Sequence, residues 1–175
     1  PTYDIEVIMT NDMNGEPDSI DVYCAIEGIV YGKDLDGNAG YTFVLKDDTR
    51  GTTVHSFVDV DNYVVNQGDE LRCVGSVKFF NGLTQFRVDS ITVLSTGNCI
   101  DFPEFTFDLG EETESEPIYM LQVRLADPSA WPAPGNNANL DIITMDGDTL
   151  VMRIDRDTQI GDTITSGPSG LFNLS

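Results

Sequence analysis

Two short stretches gather oxygen-bearing side chains at spacings that suit a hard cation. In "NDMNGEPDS", the residues Asn11, Asp12, Asn14, Glu16 and Asp18 surround a glycine-containing turn, and such loops supply the carboxylate and amide oxygens that calcium prefers. In "KDLDGNAG", Asp34, Asp36 and Asn38 alternate and could converge on one ion. Neither stretch has the twelve-residue register with a terminal bidentate glutamate that defines an EF-hand, and the same residue types form Asx turns without any metal. Calcium is therefore the one cofactor to expect, weighed against plain turn chemistry.

Other chemistries find little support. Nucleophilic catalysis needs a base held against Ser, Thr or Cys, and His55 is the single histidine, placed between Val54 and Ser56 in a strand-like run. Cys24, Cys73 and Cys99 lack the paired spacing of a zinc site. Their odd number fits either one disulfide plus a free thiol, with Cys24 and Cys73 as the candidate pair, or simply buried apolar cysteines. Paired carboxylates carry no specificity in so acidic a chain. The expectation is a protein that is not an enzyme.

The 175 residues hold 30 Asp plus Glu against 9 Lys plus Arg, a formal net charge of −21. Nucleic-acid binding draws on cations that displace condensed counterions, and no basic cluster is present. The acidity suits either a surface adapted to salt and crowding or divalent-cation binding. No apolar run approaches the ~20 residues of a membrane-spanning helix. The chain opens at Pro1 without a basic-then-apolar leader, which reads as a mature start or a fragment.

The elements that would position these residues are strands. Alternating and β-branched runs recur between clusters of Gly, Asn, Asp and Pro, predicting strands over 5–9, 22–31, 41–46, 53–58, 70–79 and 84–94, the long first barrel strand being broken near Gly28. Asn81-Gly82 within "FFNGLTQF" predicts a two-residue hairpin turn with positive φ. Five strands of this size fit a small Greek-key barrel of OB type. Phe79, Phe80 and Phe86 flank the closing hairpin, and Tyr31, Tyr41 and Phe43 surround the first loop. Core packing is the main expectation for them, with a stacking platform as the other reading.

An acidic run from Glu111 to Glu116 between Pro103 and Pro117 reads as a connector. Beyond it the order of elements repeats: "DVYCAIEGIVYG" aligns with "PIYMLQVRLADP", and "YTFVLKDDTRGTTVHSFVD" with "LDIITMDGDTLVMRIDR". A tight turn is expected at Asp146-Gly147, and Trp131 should anchor its Pro-rich loop against the second core. The final "GPSGLFNLS" matches the start of a fourth strand. The expected organisation is an N-terminal strand plus first OB-like barrel over 1–97, an acidic connector over 98–117, and a second, incomplete OB-like domain over 118–175. The fold class is all-β.

The run "GEPDSIDVYCAIEGIVYGKDLDGNAGYTFVLKDD", the later "GLTQFRVDSITVLSTGN", and the stretches "LADPSAW" and "MRIDRDT" together resemble the tandem OB-like modules of large secreted bacterial proteins that use the type IX route. Such modules stand near lamin-tail domains, nuclease domains and a C-terminal sorting domain. The resemblance implies export to the cell surface or medium, a spacer or binding role, and no catalytic residues to transfer. This sequence departs from the pattern at "LFNLS", where the family typically continues through a Gly-rich segment.

The leading functional expectation is an extracellular structural or interaction module, a repeating subunit of a surface appendage or filament assembled by β-strand addition. The strand over 5–9, through Ile5, Val7 and Met9, is the candidate donor. Its expected partners are further copies of the chain or other cell-surface proteins. The alternative is an accessory domain that binds oligosaccharide or nucleic acid for a secreted nuclease or hydrolase.

Overall fold

The computed structural model of the chain describes residues 1–36, 39–100, 109–154 and 169–174. Among these residues no helix is long and apolar enough to cross a membrane. Described residues up to Pro117 belong to one compact unit and those from Ile118 onward to a second.

The first unit is an all-β closed barrel. Its strands are β1 (Tyr23–Tyr31), β2 (Tyr41–Lys46), β3 (Gly51–Ser56), β4 (Glu70–Phe80) and β5 (Leu83–Ser95), arranged β1-β2-β3-β5-β4. Parallel pairing of β3 with β5 closes it, Thr53, Val54 and His55 lying opposite Gln85, Phe86 and Arg87. This is the connectivity of an OB barrel. Strict alternation decides what goes inside: in β2, Tyr41, Phe43 and Leu45 are buried, while Thr42, Val44 and Lys46 are only partly so. Phe43, Phe86, Leu45, Leu71, Val54 and Val77 are fully buried in the core, each contributing about 1.5–3 kcal/mol relative to exposure.

Closure requires bends at glycine. β1 pairs with β4 from Tyr23 to Ile29 and with β2 from Ile29 to Tyr31. The corner is Gly28, where a Cβ would lie 2.7 Å from the Lys46 carbonyl oxygen. The β4–β5 register shifts between Val74 and Gly75, and a Cβ on Gly75 would lie 2.1 Å from the Arg87 carbonyl oxygen. The β4–β5 hairpin turns at Asn81-Gly82, with φ of 53° and 89° and Phe80 opposite Leu83, the two-residue turn that the sequence predicts.

The segment 5–9 is not a strand. It forms a one-turn helix, α1 (Ile5–Ile8), and Ile5, Ile8 and Met9 enter the barrel core while Val7 remains exposed. The buried set follows the helical spacing i, i+3, i+4 rather than the alternation of a strand. Asp47 fixes the helix start, its carboxylate accepting the Ile5 N–H at 2.7 Å. Ile5, Val7 and Met9 therefore do not form a donor strand: two of the three already belong to this barrel's interior.

Cys24 and Cys73 are both free thiols buried in the same core, so the candidate disulfide is absent. The β1–β4 register sets Cys24 against Gly75 and Cys73 against Ile26, making the cysteines diagonal neighbours. Diagonal positions stand about 7–8 Å apart, at or beyond the ~7 Å Cα separation that a disulfide spans.

Part of the acidic segment is integral to the first unit. Glu116 accepts from the Gly51 N–H and from the Lys46 ammonium, both at 2.6 Å. Thr53 and Ser115 share a hydroxyl contact at 2.8 Å, and Glu114 accepts the Thr84 N–H at 3.1 Å. Residues 109–117, which include a 3₁₀ turn at Glu111–Thr113, thus strap the ends of β3 and β5.

The second unit is a four-stranded antiparallel sheet of β6 (Met120–Leu125), β7 (Ala138–Ile143), β8 (Thr149–Ile154) and β9 (Phe172–Leu174), ordered β8-β7-β6-β9. The order repeats β3-β2-β1-β4 of the first barrel, with β9 in the place of β4. Among the described residues no counterpart of β5 closes it. Met120, Val123, Leu125, Leu140, Ile142 and Ile154 form its core, and Trp131 packs against them. The β7–β8 connection is longer than a two-residue turn: Thr144 donates its N–H to the Asp148 carbonyl at 2.9 Å, and Gly147, but not Asp146, has positive φ.

Candidate functional site

The oxygen-rich loops are held by their own hydrogen bonds. Asp12 accepts the backbone N–H of Asn14 at 2.7 Å and of Glu16 at 3.1 Å, and the Asn14 side-chain amide at 3.0 Å. The Asn14 and then the Glu16 amides hold the Asp12 carboxyl below the usual carboxylate range. Asn11 donates its amide to Glu111 at 2.9 Å, and the Asp18 N–H bonds to the Thr10 carbonyl. In the second loop Asp34 accepts the N–H groups of Asp36 and Thr42, each at 3.0 Å. Asn38 lies outside the described residues. Among those residues no three acidic, histidine or cysteine side chains form a metal-holding group. What these loops display is Asx-turn chemistry.

The aromatics divide between interior and surface. Tyr41, Phe43 and Phe86 are core residues, Tyr41 donating its hydroxyl to the carbonyls of Tyr63 and Val60. Phe80 is 62% exposed and Phe57, just past the end of β3, is 65% exposed. Exposed phenyl rings on an otherwise alternating barrel mark a surface that something else can cover.

Phe57 and Phe80 line a groove of about 350 Å³ on the outer face of the barrel, together with Thr42, His55, Lys78, Gln85 and Arg87. Strand register assembles it. Thr42 stands opposite His55 across β2 and β3, His55 opposite Arg87 across β3 and β5, and Gln85 opposite Lys78 across β5 and β4. The buried neighbours Phe43, Val54, Phe86 and Val77 fix the opposite parity, so these side chains point outward. The His55 Nδ1 lies 3.2 Å from the Thr42 hydroxyl, and its ring meets the Phe57 ring edge to face with centroids 4.7 Å apart. Arg87 places its guanidinium carbon 4.9 Å from the Phe57 centroid, a cation–π contact.

The charge of the groove opposes that of the chain. Ion pairs joining described residues are Lys46–Glu116, Arg72–Glu27 and Lys78–Asp21; Arg87 belongs to none of them. In a chain with 30 carboxylates, this guanidinium rests on an aromatic face instead. Ligand pockets typically combine apolar walls with a few fixed polar groups, and Phe57, Phe80, Arg87 and Gln85 supply that combination. Sequence reading weighed Phe80 and His55 but passed over Phe57, Lys78, Gln85 and Arg87. The available signal was parity, since positions 55 and 57 of the run "TTVHSFV" share the outward face.

No protein-family model matches the chain, and no curated protein matches it in sequence.

Proposed function

We propose that the chain is a non-catalytic, extracellular interaction module whose binding face is the groove on the first barrel. The observation that carries this reading is the exposed Phe57 ring, flanked by His55 and by an Arg87 with no carboxylate partner among the described residues. Location outside the cell rests on the resemblance to type IX-exported modules. The strands 2 and 3 face and the β4–β5 loop are where OB barrels commonly take ligands, an analogy of fold that supports the site without naming the ligand. Assembly by donation of the 5–9 segment has no place in this reading, because Ile5 and Met9 are core residues.

Titration of isotope-labelled protein by NMR tests it, using oligosaccharides and single-stranded oligonucleotides as probes. Shifts that cluster at His55, Phe57, Gln85 and Arg87 and vanish in Phe57→Ala are expected. Shifts confined to the second unit, or binding that Phe57→Ala leaves unchanged, would overturn the assignment.

A further inference from the structure

We propose that the groove takes a carboxylated sugar ring flanked by neutral rings, within a glycan in which the two alternate. This rests on the reading of the groove as the binding face and adds the chemical class of its ligand. Three observations lead to it. First, Phe57 and Phe80 are each more than three-fifths exposed, and exposed phenyl faces match the flat C–H face of a pyranose. Second, Arg87 is the cation of the groove left without a carboxylate among the described residues, Lys78 being engaged by Asp21. A guanidinium pairs with a carboxylate through two parallel N–H donors, a geometry that an ammonium lacks. Its position over Phe57 places that fork beside the surface where a ring would stack. Third, Gln85 adds a neutral donor and acceptor beside Lys78, suited to hydroxyl or amide substituents.

The scale of the site limits the charge of the ligand. About 350 Å³, with one guanidinium that has no carboxylate among the described residues, accommodates one carboxylated residue, with neutral residues extending along the sheet. A continuous phosphodiester chain presents a charge at every step and would face a barrel within a chain of net charge −21. Its affinity would depend on counterion release that a single cation scarcely provides. A glycan with alternating charge meets the same field with fewer charges.

The test is calorimetric titration of the full chain with a hexasaccharide of alternating glucuronate and N-acetylglucosamine. The same hexasaccharide with its carboxyls reduced to alcohols, and a single-stranded hexanucleotide, serve as comparisons. The acidic glycan should bind at least about tenfold more tightly than its reduced form. Arg87→Ala and Arg87→Lys should remove that difference between the two glycans, and Phe57→Ala should weaken the binding of both. Equal affinity for the two glycans, or preference for the hexanucleotide, with Phe57→Ala still weakening binding, would overturn the ligand class and leave the site standing. Binding that survives Phe57→Ala and Arg87→Ala, or no binding of any probe, would overturn both. Both side chains lie on the surface, and far-UV circular dichroism with a thermal melt confirms that each variant is folded.

Discussion

Asp47 shows how much of the first barrel hangs on one carboxylate. It accepts the N–H groups of Ile5, Thr49 and Arg50 and the Thr49 hydroxyl, at 2.6–2.9 Å. Burial alone would raise its pKa, but these hydrogen bonds together hold it below the ordinary value of 3.8. A folded-state value below the unfolded one means that its contribution is present above about pH 4 and lost as pH falls through the folded value. Asp47→Ala should cost about 1–3 kcal/mol at neutral pH, with the difference from the native chain narrowing in acid; urea unfolding at pH 7 and pH 3 measures both. The cysteines make a second residue-scale prediction. Burial raises the Cys24 thiol and pushes Cys73 up to about 12, whereas Cys99 is exposed. Since the thiolate is the reactive form, Ellman's reagent should titrate Cys99 in the native protein, and Cys24 and Cys73 only after unfolding.

At the scale of elements, two of the four glutamates in the strap over 109–117 have opposite effects. Glu116 satisfies the Gly51 N–H and the Lys46 ammonium. Because Gly51 is buried, Glu116→Ala strands its N–H and should cost about 1–3 kcal/mol. Glu114 has its pKa raised, chiefly by burial. Its contribution to stability is therefore full below the unfolded carboxylate value and is lost as pH rises through the folded one. Glu114→Gln should consequently be more stable than the native chain at pH 7, with the advantage gone near pH 4; paired denaturant curves at the two values decide it. The barrel itself was legible in sequence because alternation and Asn81-Gly82 are local signals. The helix α1 was not, since in a five-residue window Ile5, Val7 and Met9 satisfy strand alternation while Ile5, Ile8 and Met9 satisfy the helical period. Parity along "TTVHSFV" put Phe57 beside His55. Only the parallel closure of β3 on β5, a contact between segments distant in sequence, brings Arg87 to them.

Across the whole molecule, a net charge of −21 repels itself in the compact state. Raising ionic strength from about 0.1 M to about 1 M shortens the screening length from about 10 Å to about 3 Å. The melting temperature should therefore rise with sodium chloride, and scanning calorimetry across that range would register the increase. The twofold pattern was readable from paired stretches of sequence and appears as the shared strand order of the two units. That Trp131 joins the second core was likewise foreseeable from its Pro-rich loop. The integration of the strap was not, because an acidic run looks the same whether solvent or a barrel's own amides receive it.

The strap also sets a clock. A chain that emerges from a ribosome N-terminus first has all five barrel strands in hand once Ser95 is out. The bonds from Gly51 to Glu116 and from Thr84 to Glu114 span 65 and 30 residues, so β3 and β5 wait for a further stretch of chain before their ends are fastened. Until then the Gly51 and Thr84 N–H groups lack the carboxylates that receive them in the folded chain.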